Sequence, residues 1–430
     1  MSVSGFDFSP LSPVPGIRLG TAFADIKGKN PDKKSRDDMA VMAFDEGASV
    51  AGVFTQNAFC AAPVEICRRH LGENIRAFVI NAGNANACTG EAGLSDAEQS
   101  CEYLATSLGI SAQSVMPFST GVIGVPLPMP RLLDGIQGCV DNLDEQHWEQ
   151  AAHAIMTTDT RPKGHSVQFV HEGEAVIVTG IAKGSGMIKP NMATMLAYVG
   201  TNAKVATPIL QALLVECTEK SFNRITVDGD TSTNDSCMLV ATGKTSLPEI
   251  QEASGDLYEK LKTAVFEVLL HSAQSIVADG EGATKFLSVL VQEGESTQEC
   301  LRVAYAVAQS PLIKTALFAS DPNWGRIVAA IGYAGVKGLD ANAVRVYLGM
   351  GIVSDVVKGA SASAVNIANE VLIVEQGGCA KGYREEVGQR IFDHEFITLR
   401  IALGRGQKSE TVWTTDLSHE YVKINAEYRT

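Results

Sequence analysis

Lys183-Gly184-Ser185-Gly186-Met187-Ile188-Lys189-Pro190-Asn191-Met192-Ala193-Thr194-Met195-Leu196 sets a glycine-rich segment directly against an apolar, strand-like run. Two glycines two positions apart open backbone conformations closed to other residues and let a ligand or another segment come close. A phosphate loop is the first comparison, and it fails on order. A Walker loop carries its Lys and Ser/Thr after the glycines and opens a helix, whereas here Lys183 precedes them and Pro190 follows. Taken alone, Thr194 reads as a β-branched residue starting a buried strand. The chemical alternative is a nucleophile. A threonine hydroxyl is weak unless a base sits beside it, and a cut before Thr194 would make its own freed α-amine that base.

Outward from this stretch, β-branched enrichment predicts strands at 50–55, 76–81, 175–181, 196–201 and 224–228, and again at 285–292, 343–348, 370–375 and 395–402. Helical periodicity falls between them, at 95–108, 148–155, 207–222, 257–277 and 297–307. In the 207–222 segment Thr207 is placed to cap, Pro208 suits the first helical position, and Ile209, Leu210, Leu213, Leu214 and Cys217 make one apolar face. Interleaved strands and helices, with some strands close enough for hairpins, predict a layered α/β fold with mixed sheets. A chain of 430 residues exceeds the size at which single cores usually stop growing, so two closely packed domains or lobes are expected, with one large fold as the alternative. No repeat or low-complexity linker marks their boundary.

The bulk chemistry narrows the function. A formal net charge of -14 argues against nucleic acid, whose binders carry a basic footprint. Nine cysteines without a Cys-x-x-Cys pair favour reduced thiols in a cytosolic protein over a disulfide framework or a zinc knuckle. The first ten residues carry neither a signal-peptide nor a transit-peptide pattern. The apolar stretch 327–336 is broken by glycines and far below the roughly 18 residues that span a bilayer, so a soluble protein without a membrane partner is expected.

The string from Lys183 through Ala203, KGSGMIKPNMATMLAYVGTNA, resembles the signature of the ornithine acetyltransferases (glutamate N-acetyltransferases, arginine-biosynthesis protein J). Further family-like segments follow in order from Gly52-Val53-Phe54-Thr55 to the C-terminal Thr430. The resemblance implies a layered α/β sandwich of N-terminal-nucleophile type that cleaves itself between Ala193 and Thr194. It implies an α chain 1–193 and a β chain 194–430, assembled as an α2β2 heterotetramer. Thr194 would take an acetyl group from N-acetylornithine and pass it to glutamate, without a cofactor, and acetyl-CoA is a further co-substrate to test. Ser119-Thr120-Gly121 resembles the family's oxyanion segment, which implies the Thr120 hydroxyl and the Gly121 N–H as oxyanion donors; read alone it is a turn. Thr157, Lys183, Thr194, Glu281, Asn425 and Thr430 map to substrate contacts. An amino-acid substrate that is cationic as ornithine and anionic as glutamate calls for anchors of both signs.

Without the resemblance, Thr157 reads as a cap or turn residue and Glu281 as part of a tight acidic turn. The oxygen-rich run Asp228, Asp230 and Asn234 lacks the glycine and final glutamate positions of a calcium loop, and no metal is expected. That run and Ser320–Arg326 read as loops near the active site. The eight histidines show no ligand-like pairing. Two other functions remain open at this level: an N-terminal-nucleophile hydrolase that delivers the acyl group to water, and a non-catalytic amino-acid-binding protein in which Thr194 is an ordinary strand residue.

Overall fold

The computed structural model describes residues 3–6, 8–28, 36–189, 195–353 and 368–427. In chain order its strands are β1 (Ile17–Ala22), β2 (Met39–Phe44), β3 (Ser49–Phe54), β4 (Ala77–Asn84), β5 (Val115–Val122), β6 (Lys163–His171), β7 (Glu174–Lys183), β8 (Leu196–Thr201), β9 (Ile225–Thr226), β10 (Ser236–Ala241), β11 (Phe286–Gly294), β12 (Arg345–Met350), β13 (Ala368–Glu375), β14 (Gly378–Cys379), β15 (Phe396–Ala402) and β16 (Lys408–Thr415). They form three sheets, each with parallel and antiparallel neighbours, as the interleaved pattern predicts.

The chain divides into two compact units. One comprises residues 7–223 and 231–276; the other comprises 1–6, 224–230 and 277–430. The predicted chain boundary at Ala193–Thr194 lies outside the described residues.

The first unit is layered by the two-residue period of its strands. In β2, Ala40, Met42 and Phe44 face one core while Met39 and Val41 face another. The strands β4 and β5 do the same, with Phe78, Ile80, Met116 and Phe118 on the first side and Ala77, Val79 and Val115 on the second. The first core lies between the sheet β1-β2-β4-β5 and the sheet β3-β10-β8-β7-β6. Phe44, Phe78, Phe118 and Tyr198 meet there edge-on or tilted, at centroid distances of 4.7 to 5.9 Å. The second core packs under the helices Gly90–Leu108 and Met129–Asp141. Helix Thr207–Lys220 covers the outer face of the other sheet, where the Gln211 amide bonds the Gly52 backbone in both directions. Its buried stripe is Leu210, Leu213, Leu214, Cys217 and Thr218, but Thr207 does not cap it. Ala206 is the N-cap, and Pro208 in the first turn lacks an N–H in any case.

The second unit is a seven-stranded sheet in the order β14-β13-β12-β15-β11-β16-β9. Helices Thr297–Ala308, Pro311–Phe318, Trp324–Tyr333 and Glu385–Phe392 share one apolar core with its strands. Among the described residues no helix is long and apolar enough to cross a membrane. All nine cysteines are free thiols.

Two histidines far apart in sequence stack. His165 of β6 and His271 of helix Asp256–Ala278 lie 4.3 Å apart at an interplanar angle of 15°. Burial first, then the charges of His165 and Arg161, lower the His271 pKa to about 4. The unfolded chain therefore takes up this proton first as pH falls. Stability is lost between the usual histidine value, about 6.5, and about 4, by up to about 3 kcal/mol. His271→Phe should flatten that part of the stability-versus-pH curve in urea unfolding; an unchanged slope would count against the assignment.

Candidate active site

At the ends of β5 and β7, the first unit gathers three of the residues predicted from sequence. Lys183 is the last residue of β7, and its ammonium donates to the Thr120 hydroxyl at 2.9 Å and to the Thr157 hydroxyl at 2.8 Å. An oxygen that accepts from an ammonium turns its own hydrogen elsewhere, so each threonine retains an O–H to offer a third group. Ser119-Thr120-Gly121, read from sequence as a turn, belongs instead to β5, which pairs in parallel with β4. The register breaks at Gly83–Asn84, opposite Thr120 and Gly121, and such irregularities re-aim the groups beside them. Gly121 has φ +136°, and a Cβ there would sit 2.2 Å from the Gly83 carbonyl carbon. Only glycine fits.

Asp159 organises this corner. Its carboxylate accepts from the Thr157 N–H at 2.9 Å, the Gly184 N–H at 2.8 Å and the Lys163 ammonium at 2.6 Å. The Asp159 and Lys163 side chains are 0% and 1% exposed. Burial opposes ionisation of Asp159, but the charges of Lys163 and Lys183 and the hydrogen bonds outweigh it and hold the group below the ordinary carboxylate range. Thr157 and Gly184, the residues flanking Lys183 in space and in sequence, thus hang from one buried anion. Sequence reading passed over Asp159 within 156–163. Its four-residue spacing to Lys163 was the available signal, and that spacing is common among surface pairs.

Behind β5 stands a frame of side-chain amides. Asn81 donates to the Asn84 carbonyl, Asn84 to the Val125 and Pro126 carbonyls, and the Ser119 hydroxyl to Asn81. Asn234 donates to the Ala85 carbonyl at 2.6 Å and the Ser119 carbonyl at 2.9 Å. Asn234 is therefore part of the frame around Ser119-Thr120-Gly121, whereas Asp228 accepts from the Tyr421 hydroxyl at 3.3 Å. Among the described residues no group of three or more His, Cys, Asp or Glu is placed to hold a metal ion.

In the second unit, Glu281 is buried and its Oε2 accepts from the Asn425 side chain at 2.8 Å. Asn425 is on helix His419–Ala426, which Ser418 caps by accepting the Tyr421 N–H. Gly282 makes this approach possible: at φ +69°, a Cβ there would meet Ser418 Oγ at 2.5 Å and Tyr421 N at 2.6 Å. The predicted residues thus fall into two groups, Thr120–Gly121–Thr157–Lys183 and Glu281–Asn425. Ala193, Thr194 and Thr430 lie outside the described residues.

Two hydroxyls aligned by one cation at a strand end, beside a buried anion, suit a reaction in which negative charge develops on an oxygen. The family model described as ArgJ family matches residues 18–430. The arginine biosynthesis bifunctional proteins ArgJ of Pseudomonas fluorescens (strain Pf0-1) and Pseudomonas syringae pv. tomato are each 55% identical over 420 residues, 98% of this chain and 98% of theirs. Among solved structures, the arginine biosynthesis bifunctional protein argJ from Bacillus halodurans is 32% identical, covering 54% of this chain and 99% of its own, at TM-score 0.47. An ornithine acetyltransferase complexed with ornithine from Mycobacterium tuberculosis is 36% identical, covering 42% and 93%, at TM-score 0.38. This chain belongs to the ArgJ family.

Proposed function

We propose that this chain is a cytosolic acetyltransferase of arginine biosynthesis, carrying acetyl from N2-acetyl-L-ornithine to L-glutamate through an ester on Thr194. The observation that carries the reading is 55% identity to curated ArgJ proteins along nearly the whole chain. The Lys183 ammonium joining Thr120 to Thr157 supports it. In the processing step, Thr194 Oγ attacks the Ala193 carbonyl carbon, the Ala193–Thr194 C–N bond breaks as the hydroxyl proton passes to nitrogen, and water hydrolyses the resulting ester. The products are the chains 1–193 and 194–430, which we propose assemble as α2β2. In transfer, the freed α-amine takes the Thr194 hydroxyl proton and Oγ attacks the acetyl carbon of the donor. The oxyanion meets the Thr120 hydroxyl and the Gly121 N–H, and the proton leaves with the ornithine amine. Glutamate then attacks the ester by the reverse path.

Following the family resemblance, we assign substrate contacts to Thr157, Lys183, Thr194, Glu281, Asn425 and Thr430, the charges of Lys183 and Glu281 suiting an amino-acid substrate with groups of both signs. The relatives' names contain the word bifunctional, which supports a second activity. We assign it to acetyl-CoA as alternative donor, with no bound cofactor. With N-acetylornithine and glutamate together, the enzyme should form N-acetylglutamate and ornithine in equal amounts. Release of acetate at a rate indifferent to glutamate would identify a hydrolase instead. A tag appended after Thr430 should impair this reaction more than one before Met1, and equal rates would remove Thr430 from the site.

A further inference from the structure

Residues 234 and 235 are neighbours in sequence, yet they hold two different strands. Asn234 donates through one side-chain amide to the Ala85 carbonyl and to the Ser119 carbonyl, the peptide immediately before Thr120. The Asp235 carboxyl accepts from the Met195 N–H and from the Ser232 and Thr55 hydroxyls, while the next N–H, that of Ser236, donates to the Met195 carbonyl at 3.0 Å. Met195 is thereby held at both its peptide groups, and it is covalently joined to Thr194. Asn234 and Asp235 are 7% and 2% exposed, so neither bond competes with bulk water.

We infer that Asn234–Asp235 is a positioning clamp that sets the oxyanion segment at Thr120–Gly121 against Met195, the residue bonded to the nucleophile. The inference rests on the reading of Thr194 as that nucleophile. Acyl transfer needs this registration because oxyanion donors act only when they lie within hydrogen-bond reach of where the oxygen will be, and about 1 Å of displacement is costly. Burial, the largest influence, raises the Asp235 pKa well above the ordinary carboxylate value against the hydrogen bonds and the Lys183 charge.

The test is a double-mutant cycle on the full-length enzyme, crossing Asp235→Ala with Thr120→Ala. Thr120→Ala alone should lower kcat by about 100-fold. In the Asp235→Ala background, where the donor is already misplaced, the same change should cost less than about tenfold. KM for both substrates should stay within about twofold, since the clamp touches neither. Asp235→Asn keeps an acceptor oxygen in the same volume and should recover most of the Asp235→Ala loss, with thermal melts showing that both variants fold. Additive effects of Asp235→Ala and Thr120→Ala, or an Asp235→Asn enzyme as slow as Asp235→Ala, would overturn the clamp. Additivity in an enzyme still dependent on Thr194 would overturn the clamp alone, whereas activity that survives Thr194→Ala would overturn the nucleophile and the clamp together.

Discussion

Thr194→Ala is expected to leave the purified protein as one polypeptide of 45.6 kDa without transferase activity. In the proposed mechanism the hydroxyl attacks Ala193 in processing and the acetyl donor in turnover, so both losses would come from one oxygen. Removing a nucleophile that acts as part of a unit costs on the order of 10⁴- to 10⁶-fold in kcat. Thr194→Ser retains the hydroxyl and should retain part of both functions. Denaturing electrophoresis reads the first effect and N-acetylglutamate formation the second. A cleaved Thr194→Ala chain would move the processing site elsewhere, and an active one would remove the ester intermediate.

Asp159→Ala should be the most damaging change away from the reacting atoms. It removes the carboxylate that the buried Lys163 ammonium pairs with, which typically costs about 3–5 kcal/mol, about 3–6 °C in Tm for a chain this size. It also releases the Thr157 and Gly184 amides, so Thr157 and the chain at Lys183 lose their common anchor. A fall in kcat/KM on the order of 100-fold is expected from that misplacement. The pH dependence carries its own signature. The folded pKa of Asp159 lies below its unfolded value, so its stabilisation is complete above the ordinary carboxylate range and disappears as pH falls through the folded value. The stability gap between the native protein and Asp159→Asn should therefore be constant at neutral pH and close only below about pH 4. Calorimetry across that range checks it, and a gap that closes near neutrality would contradict the buried ion pair.

The layered fold was legible because strands buried on both faces are written as unbroken apolar runs. Leu196–Thr201 lies where the pattern placed it, and so, within a few residues, do the strands at 49–54, 286–294 and 396–402. Strand β5 was not legible. Pro117 and Gly121 interrupt it, and both are turn residues until the parallel pairing with β4 and the close approach at Gly83 are known. The predicted strand at 224–228 shrinks to Ile225–Thr226, pairing only with Trp413 and Thr414. The 327–336 stretch, weighed only as a membrane segment, overlaps helix Trp324–Tyr333, whose Asn323 cap accepts from the Arg326 N–H.

Among site residues, Lys183, Thr120 and Thr157 were reached through the family resemblance, since no local periodicity links positions so far apart. Asp159 was missed for a related reason, and Asn234 and Asp235 were read only as part of a loop near the active site. Their chemistry is burial and convergence, and an aspartate that accepts three hydrogen bonds in the interior looks in sequence like any loop aspartate.

The central claim, that Thr194 carries the acetyl group between substrates, is tested most directly by intact-mass and peptide mapping after mixing the enzyme with N-acetylornithine alone. The 194–430 chain should gain the mass of one acetyl group, mapped to the Thr194 side chain, and lose it when glutamate is added. A 194–430 chain that stays unmodified while the enzyme turns over, or an acetyl group on another residue that glutamate discharges, would contradict the account.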